Sequence, residues 1–229
     1  MDVSVPSITE ELLFPTPMWW THCNFDLEEL SRILYELKDE NPTMERSNVG
    51  GYQSQDFDGA SMCEVEDELG NLSRYIRQTA IDIYKRFNAP ATTVKFANIW
   101  FNINGNGGDD YNVTHTHPGS VLSGAFYVKA PEDSGRITFC RDHHSSFCFA
   151  SCGTMEDFAA GYDDTPWMWN QMGFPPVANR LMLFPSWLPH KVETGKNKSD
   201  RISISFNFIP EPIDKTQQYY GKLKKHHEC

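Results

Sequence analysis

Two stretches in the first third of the chain carry apolar residues at helical spacing, and beyond residue 92 the pattern changes to the alternation of strands. In the first stretch Leu27, Leu30, Leu34 and Leu37 make one stripe. Asp26 stands as N-cap with Glu29 placed to reach back to it, Phe25 and Leu30 are spaced as a hydrophobic staple, and Asn41-Pro42 ends the run. In the second, Val65, Leu69, Leu72, Ile76, Ala80, Ile83 and Phe87 recur at steps of three and four. Ser61 and Glu64 read as another capping box there, and Asn88-Ala89-Pro90 is the stop. Residues 43–60, polar and glycine-containing, read as loop. Residues 1–25 are a lead-in whose proline-broken Phe14–Trp20 suits an edge strand or a covering segment.

Strands are expected at Thr93–Asn104, Tyr111–Pro118, Val121–Val128, Arg136–Cys140, Arg180–Pro185, Leu188–Glu193 and Arg201–Ile209. The last alternates strictly: Arg201, Ser203, Ser205 and Asn207 face one way, Ile202, Ile204, Phe206 and Phe208 the other. Helices ahead of a long β-rich region predict a sheet with helices on one side, mainly β overall. Residues 141–179, irregular and rich in aromatics and glycine, form an insertion that reads either as a surface excursion or as a substrate cover.

At 229 residues one domain is expected. With 31 acidic against 20 basic residues the net charge is −11, a field that repels nucleic acid and anionic membrane, so neither is expected as a partner. The only basic run of note, Lys222–His227, lies near the C-terminus. Met1–Leu13 lacks the basic-then-apolar profile of a secretory signal, and no window has the length of a membrane span. The six cysteines lie scattered without a Cys-x-x-Cys pair, which reads as reduced thiols in the cytoplasm; Cys148 and Cys152 are read as packing residues rather than as a pair sharing a metal. The sequons at Asn71, Asn112 and Asn197 are read as chance matches.

The candidate chemistry begins at His115-Thr116-His117-Pro118. On a strand His115 and His117 project from one face, a metal-ligand spacing, and Pro118 favours the extended backbone of His117. The pair alone is a weak signal, since imidazoles are as often ordinary hydrogen-bonded groups. Arg201 and Ser203 face together, either on a solvated sheet face or in a pocket where the guanidinium fork holds a carboxylate. No Ser-His-Asp or Cys-His arrangement is present, and His22, His143, His144, His226 and His227 are read as surface groups.

Taken in order, His115-x-His117, Ser123–Val128, Gly135–Phe139, Leu183–His190 and Arg201-Ile202-Ser203 resemble the iron(II)- and 2-oxoglutarate-dependent dioxygenases. The similarity is strongest to a prolyl-hydroxylase-like branch with a His-x-His-Pro motif, and it spans residues 93–210. The resemblance implies a double-stranded β-helix, a cupin-like jelly-roll, at 93–210 with the insertion 141–179, braced by two helices in 1–92 and followed by a tail at 211–229. It implies Fe(II), 2-oxoglutarate and O2, with His115 as first metal ligand, His190 as distal ligand, and His117 where the family's carboxylate stands. The metal set is then three histidines, or two completed by water, Asp109 or Asp110. Arg201 would bind the distal carboxylate of 2-oxoglutarate with Ser203 beside it; Asn102 and Trp100 would contact the co-substrate, unless Trp100 simply packs the core. The implied activity is hydroxylation of a peptidyl residue or small molecule with release of succinate and CO2. Two rivals share the barrel: a cupin-type metal enzyme that does not use 2-oxoglutarate, and a non-catalytic jelly-roll binding protein. Cupins usually carry a glutamate shortly after the histidine pair, and Gly119–Gly124 contains none.

Overall fold

The computed structural model of the protein describes residues 15–87, 92–105, 109–141 and 171–212. His143, His144, Cys148, Cys152, most of the insertion and the basic tail therefore lie outside the described residues. In chain order the elements are β1 (Trp19–His22), α1 (Leu27–Glu40), β2 (Asn48–Val49), β3 (Tyr52–Gln53), α2 (Gly59–Glu64), α3 (Glu68–Tyr84), β4 (Thr92–Asn104) and β5 (Tyr111–His115). There follow β6 (Leu122–Lys129), β7 (Ile137–Cys140), β8 (Gln171–Phe174), β9 (Arg180–Pro185), β10 (His190–Val192) and β11 (Arg201–Pro212).

The strands form two antiparallel sheets, one of order β1-β9-β6-β11-β4-β3 and one of order β2-β5-β10-β7-β8. Alternation along each strand of the six-stranded sheet splits its side chains between two environments. Ile99, Phe101, Ile103, Leu122, Phe126, Leu181, Leu183, Ile202, Ile204, Phe206 and Phe208 join Leu30, Leu34, Leu72, Ile76 and Ala80 of the helices in the larger core. Each fully buried side chain of this size contributes about 1.5–3 kcal/mol. The opposite face looks toward the second sheet, where Ala125, Tyr127, Met182 and Phe184 pack with Ile137 and Phe139. The jelly-roll thus has helices on one side and an interior between its sheets. Among the described residues no helix is long and apolar enough to cross a membrane.

Several local expectations hold. Asp26 caps α1, its Oδ1 accepting from the N–H groups of Glu28 and Glu29, and the lead-in supplies edge strand β1. Four differ. The expected second helix is two: α2, capped by Asp58 rather than Ser61, and α3, capped by Asp67. Between them Val65 is extended, its carbonyl so close to Gly70 that any Cβ there would collide. Arg74 Nη1 takes the freed carbonyls of Cys63 and Val65 at 2.6 and 3.1 Å, which satisfies the end of α2. Glu29 does not complete a capping box; it binds Arg32, and the Asp26 N–H goes to Glu68 Oε1 instead. The expected loop at 43–60 contains β2 and β3, and the expected insertion contains β8. Finally, β5 ends at His115, so His117 lies beyond the strand.

Candidate metal centre and co-substrate cavity

His190 on β10 is paired directly with His115 on β5, which brings two rings from one sheet together by register alone. His117 reaches them from the segment connecting β5 to β6, where its N–H donates to the Ser186 carbonyl at 3.0 Å. Candidate ligand atoms of the three histidines all lie within 4.8 Å of one another, a grouping that could hold one metal ion. Among the described residues no carboxylate belongs to it. Asp110 is occupied elsewhere, accepting the Gly105 N–H at 2.6 Å to brace the β4–β5 turn.

Two rings are oriented alike. His115 Nδ1 donates to the Val113 carbonyl at 2.7 Å and His190 Nδ1 to the Leu188 carbonyl at 2.9 Å, each leaving Nε2 with a free lone pair. Burial disfavours protonation throughout the cluster. It pushes His190 down to about 3, reinforced by the charge of His115, and His117 to about 4, again with His115 adding to it. Burial lowers His115 too, against the opposing bond to Val113. Neutral imidazoles are what a divalent metal requires.

From this cluster the interior runs along the six-stranded sheet in cross-strand rungs. Asn207 pairs with Asn98 and Ser123, Ser205 with Trp100 and Ala125, Ser203 with Asn102 and Tyr127, and Arg201 with Asn104. The cavity between the sheets is lined by His115, His117 and His190 and by Trp100, Asn102, Tyr127, Arg201 and Ser203. Arg201 is 3% exposed, donates to Asn104 Oδ1 at 2.9 Å and Ser203 Oγ at 3.4 Å, and lies 5.2 Å from the centre of the Tyr127 ring. Among the described residues its Nε, the Tyr127 hydroxyl and Asn102 Oδ1 are buried with no partner at hydrogen-bond geometry. Burial lowers the Arg201 pKa and raises that of Tyr127, yet a guanidinium remains cationic at neutral pH. Among the described residues no carboxylate pairs with it. A buried cation facing a cavity with only neutral partners is costly unless an anion joins it, and that requirement fits a dicarboxylate ligand.

The structure thus brings His115, His117, His190, Arg201, Ser203, Asn102 and Trp100 to one cavity. Trp100 stands beside the cluster, its ring 5.9 Å from that of His117. His22 is exposed on β1, as expected of a surface histidine. Sequence reasoning gave no role to Tyr127, Asn104 or Asn207. Tyr127 was detectable only as a polar aromatic on the interior side of a strand. Asn207 sat on a face whose solvation could not be judged without its neighbours.

Two facing antiparallel sheets with a histidine cluster and a buried arginine in the space between them define a jelly-roll with a candidate metal centre. Residues 98–207 match the family model described as "Putative 2OG-Fe(II) oxygenase". Among solved structures, a Pseudomonas putida prolyl-4-hydroxylase is similar at 16% identity over 85% of this chain and 92% of that one, with TM-score 0.55. The epimerase SnoN, solved with Fe3+, alpha ketoglutarate and nogalamycin RO, is similar at 12% identity over 82% and 77%, with TM-score 0.51. A Trichoplax adhaerens prolyl hydroxylase in complex with a hypoxia inducible factor peptide fragment is similar at 13% identity over 84% and 83%, with TM-score 0.50. At such identities the likeness is one of fold. No curated protein matches the chain in sequence. The family-model match spans just under half of the chain and, with the fold, indicates an oxidoreductase of the 2OG-Fe(II) oxygenase kind, with Fe(II) as cofactor and 2-oxoglutarate and O2 as co-substrates.

Proposed function

We propose that the protein hydroxylates an unactivated C–H bond, with His115, His117 and His190 holding Fe(II) and Arg201 binding the distal carboxylate of 2-oxoglutarate. The observation that carries this reading is the Arg201 cation, without a carboxylate partner among the described residues and buried in the cavity that the histidines line. Neither rival fold-mate activity gives that guanidinium a partner. When bound, iron and 2-oxoglutarate supply the oxidation: O2 delivers one atom to the succinate that leaves with CO2 and the other to the substrate.

The protein's own residues bind, orient and exclude water. The two rings fixed by Val113 and Leu188 present bare nitrogens to the metal. Arg201, with Ser203 and the Tyr127 hydroxyl, supplies three donors for a carboxylate, and Asn104 holds the guanidinium in place. Phe139 and Phe184, with ring centres 6.1 and 4.7 Å from His190, keep that side of the metal site apolar. The primary substrate approaches along a second, wide groove lined by Asn98, Pro118, Gly119 and Asn207. His117 borders both spaces. The substrate is read as a peptidyl residue or a small molecule entering by this groove. The test is incubation of the iron-loaded protein with labelled 2-oxoglutarate and candidate substrates. Succinate release coupled to a mass gain of one oxygen is expected, and absence of any 2-oxoglutarate turnover across peptides and small molecules contradicts the proposal.

A further inference from the structure

A line of hydrogen bonds connects the outer groove to the histidine cluster, and both of its ends are groups that can only accept. At one end Asp56 Oδ2 accepts from Asn98 Nδ2 at 3.2 Å, with Arg46 Nη2 3.0 Å from the same oxygen. At the other the Leu188 carbonyl accepts from His190 Nδ1. Each end dictates the direction of every bond behind it.

Working inward from Asp56, the Asn98 nitrogen is turned to the carboxylate, so its oxygen accepts from Asn207 Nδ2 at 2.9 Å. The Asn207 oxygen then takes the Ser123 hydroxyl at 2.7 Å, and the remaining amide hydrogen faces His117 Nδ1 at 3.4 Å. Working inward from Leu188, His190 carries its proton on Nδ1 and its Nε2 is bare. His117 Nε2 lies 3.3 Å from that bare nitrogen, a contact that is a hydrogen bond only with His117 as donor and its own Nδ1 bare. The two directions arrive at the same hydrogen on the same atom. Strand register builds the inner part of this line: Asn207 is cross-strand partner to both Asn98 and Ser123, and the β4–β11 pairing shifts register immediately beside it, where Ala97 is the extra residue.

We propose that Asp56, Asn98, Asn207 and Ser123 are positioning residues that hold His117 as the Nε2–H tautomer, opposite to His115 and His190, and so make it the weakest and most exchangeable of the three ligands. To bind metal through Nε2 as a neutral ring, His117 must move its proton to Nδ1, where it meets an amide N–H instead of an acceptor. Asn207 can offer its oxygen only by rotating its amide, which sets it against the Asn98 oxygen and obliges the Ser123 hydroxyl to turn to Ser186 Oγ, 2.8 Å away. His115 and His190 meet no such obstacle, because backbone carbonyls already accept their Nδ1–H groups. The tautomer assignment stands on hydrogen-bond geometry alone; the ranking of ligands rests on the metal reading above.

The experiment uses the metal-free full chain with nitrogen-labelled histidines, in which long-range nitrogen–proton correlation spectra distinguish the tautomers. His115 and His190 are expected as Nδ1–H and His117 as Nε2–H; His117 found as Nδ1–H overturns the proposal. In Asn207→Asp, a carboxylate that only accepts replaces the amide donor. His117 should switch to Nδ1–H and Co(II) should bind about 10–100-fold more tightly. A switched tautomer with unchanged Co(II) affinity overturns the ligand ranking. Should that variant not fold, Ser123→Ala, which loosens the Asn207 amide, is expected to shift both readouts in the same direction by less, and no shift counts against the proposal. A wild-type protein that binds no Co(II) contradicts the metal reading and the ranking with it, whereas the tautomer result is read independently.

Discussion

His115 and His190 are directly opposed residues of neighbouring antiparallel strands, and their ring centres lie 4.4 Å apart. Because side chains alternate with a period of two, a one-residue slip of β10 against β5 turns one ring away from the other. The register of the jelly-roll is therefore what assembles the metal cluster, and Phe139, the partner of His190 on its other side, closes it off from that flank.

Loss of either fixed ring should cost more metal affinity than loss of His117. His115→Ala and His190→Ala are expected to weaken Co(II) or Ni(II) binding by about 100-fold or more, and His117→Ala by about 10-fold, measured by calorimetric titration. Equal losses at all three positions contradict the distinction.

Arg201 should serve binding at the expense of stability. Replacing a buried ion that lacks a compensating charge by an apolar side chain of similar volume commonly stabilises by about 1–4 kcal/mol. Arg201→Met is expected to raise the denaturation midpoint of the ligand-free protein while abolishing 2-oxoglutarate binding. Tyr127→Phe, which removes only an unpartnered hydroxyl, should fold normally and bind the co-substrate about 10-fold more weakly, a loss of about 1.4 kcal/mol.

The metal-free protein should lose stability as the pH falls from 6.5. His190 and His117 have folded-state values near 3 and 4, below their unfolded value, so in the window between those limits the unfolded chain binds more protons than the folded one. Each such ring adds a slope approaching about 1.4 kcal/mol per pH unit, with stability rising toward neutral pH. Urea unfolding of wild type and His190→Asn at pH 7 and pH 5 checks this: the variant should show a smaller pH dependence.

Gly124 on β6 is packed so that an added Cβ would strike the Met182 carbonyl and the Phe206 ring. Gly124→Ala is expected to destabilise by about 1–3 kcal/mol through overpacking, read as a lower denaturant midpoint. An unchanged midpoint would mean that β6 and β9 can separate without cost.

The strand alternation of β11 was legible from the chain because its two faces differ sharply: Ile202, Ile204, Phe206 and Phe208 on one, Arg201, Ser203, Ser205 and Asn207 on the other. The helical stripe of α1 was legible for the same reason. The split at Val65 was not, since Val65 continues the apolar period while being 41% exposed, and only the close approach of Gly70 reveals the turn. His190 could be singled out by its place after β9, but its pairing with His115 is a matter of register between strands far apart in sequence. The amide chain was hidden for a similar reason: Asn98, Asn207 and Ser123 are unremarkable polar residues until cross-strand pairing sets them side by side.

The most direct measurement is anaerobic addition of Fe(II) and 2-oxoglutarate to the purified protein, followed by the weak visible charge-transfer absorbance of co-substrate chelated to iron. A band is expected for wild type and for a surface control such as Glu36→Gln, and none for His190→Ala or, at the same co-substrate concentration, Arg201→Ala. Absence of the band in wild type, or its persistence at full intensity without Arg201, contradicts a single site in which the histidines hold iron and the buried guanidinium holds the acid.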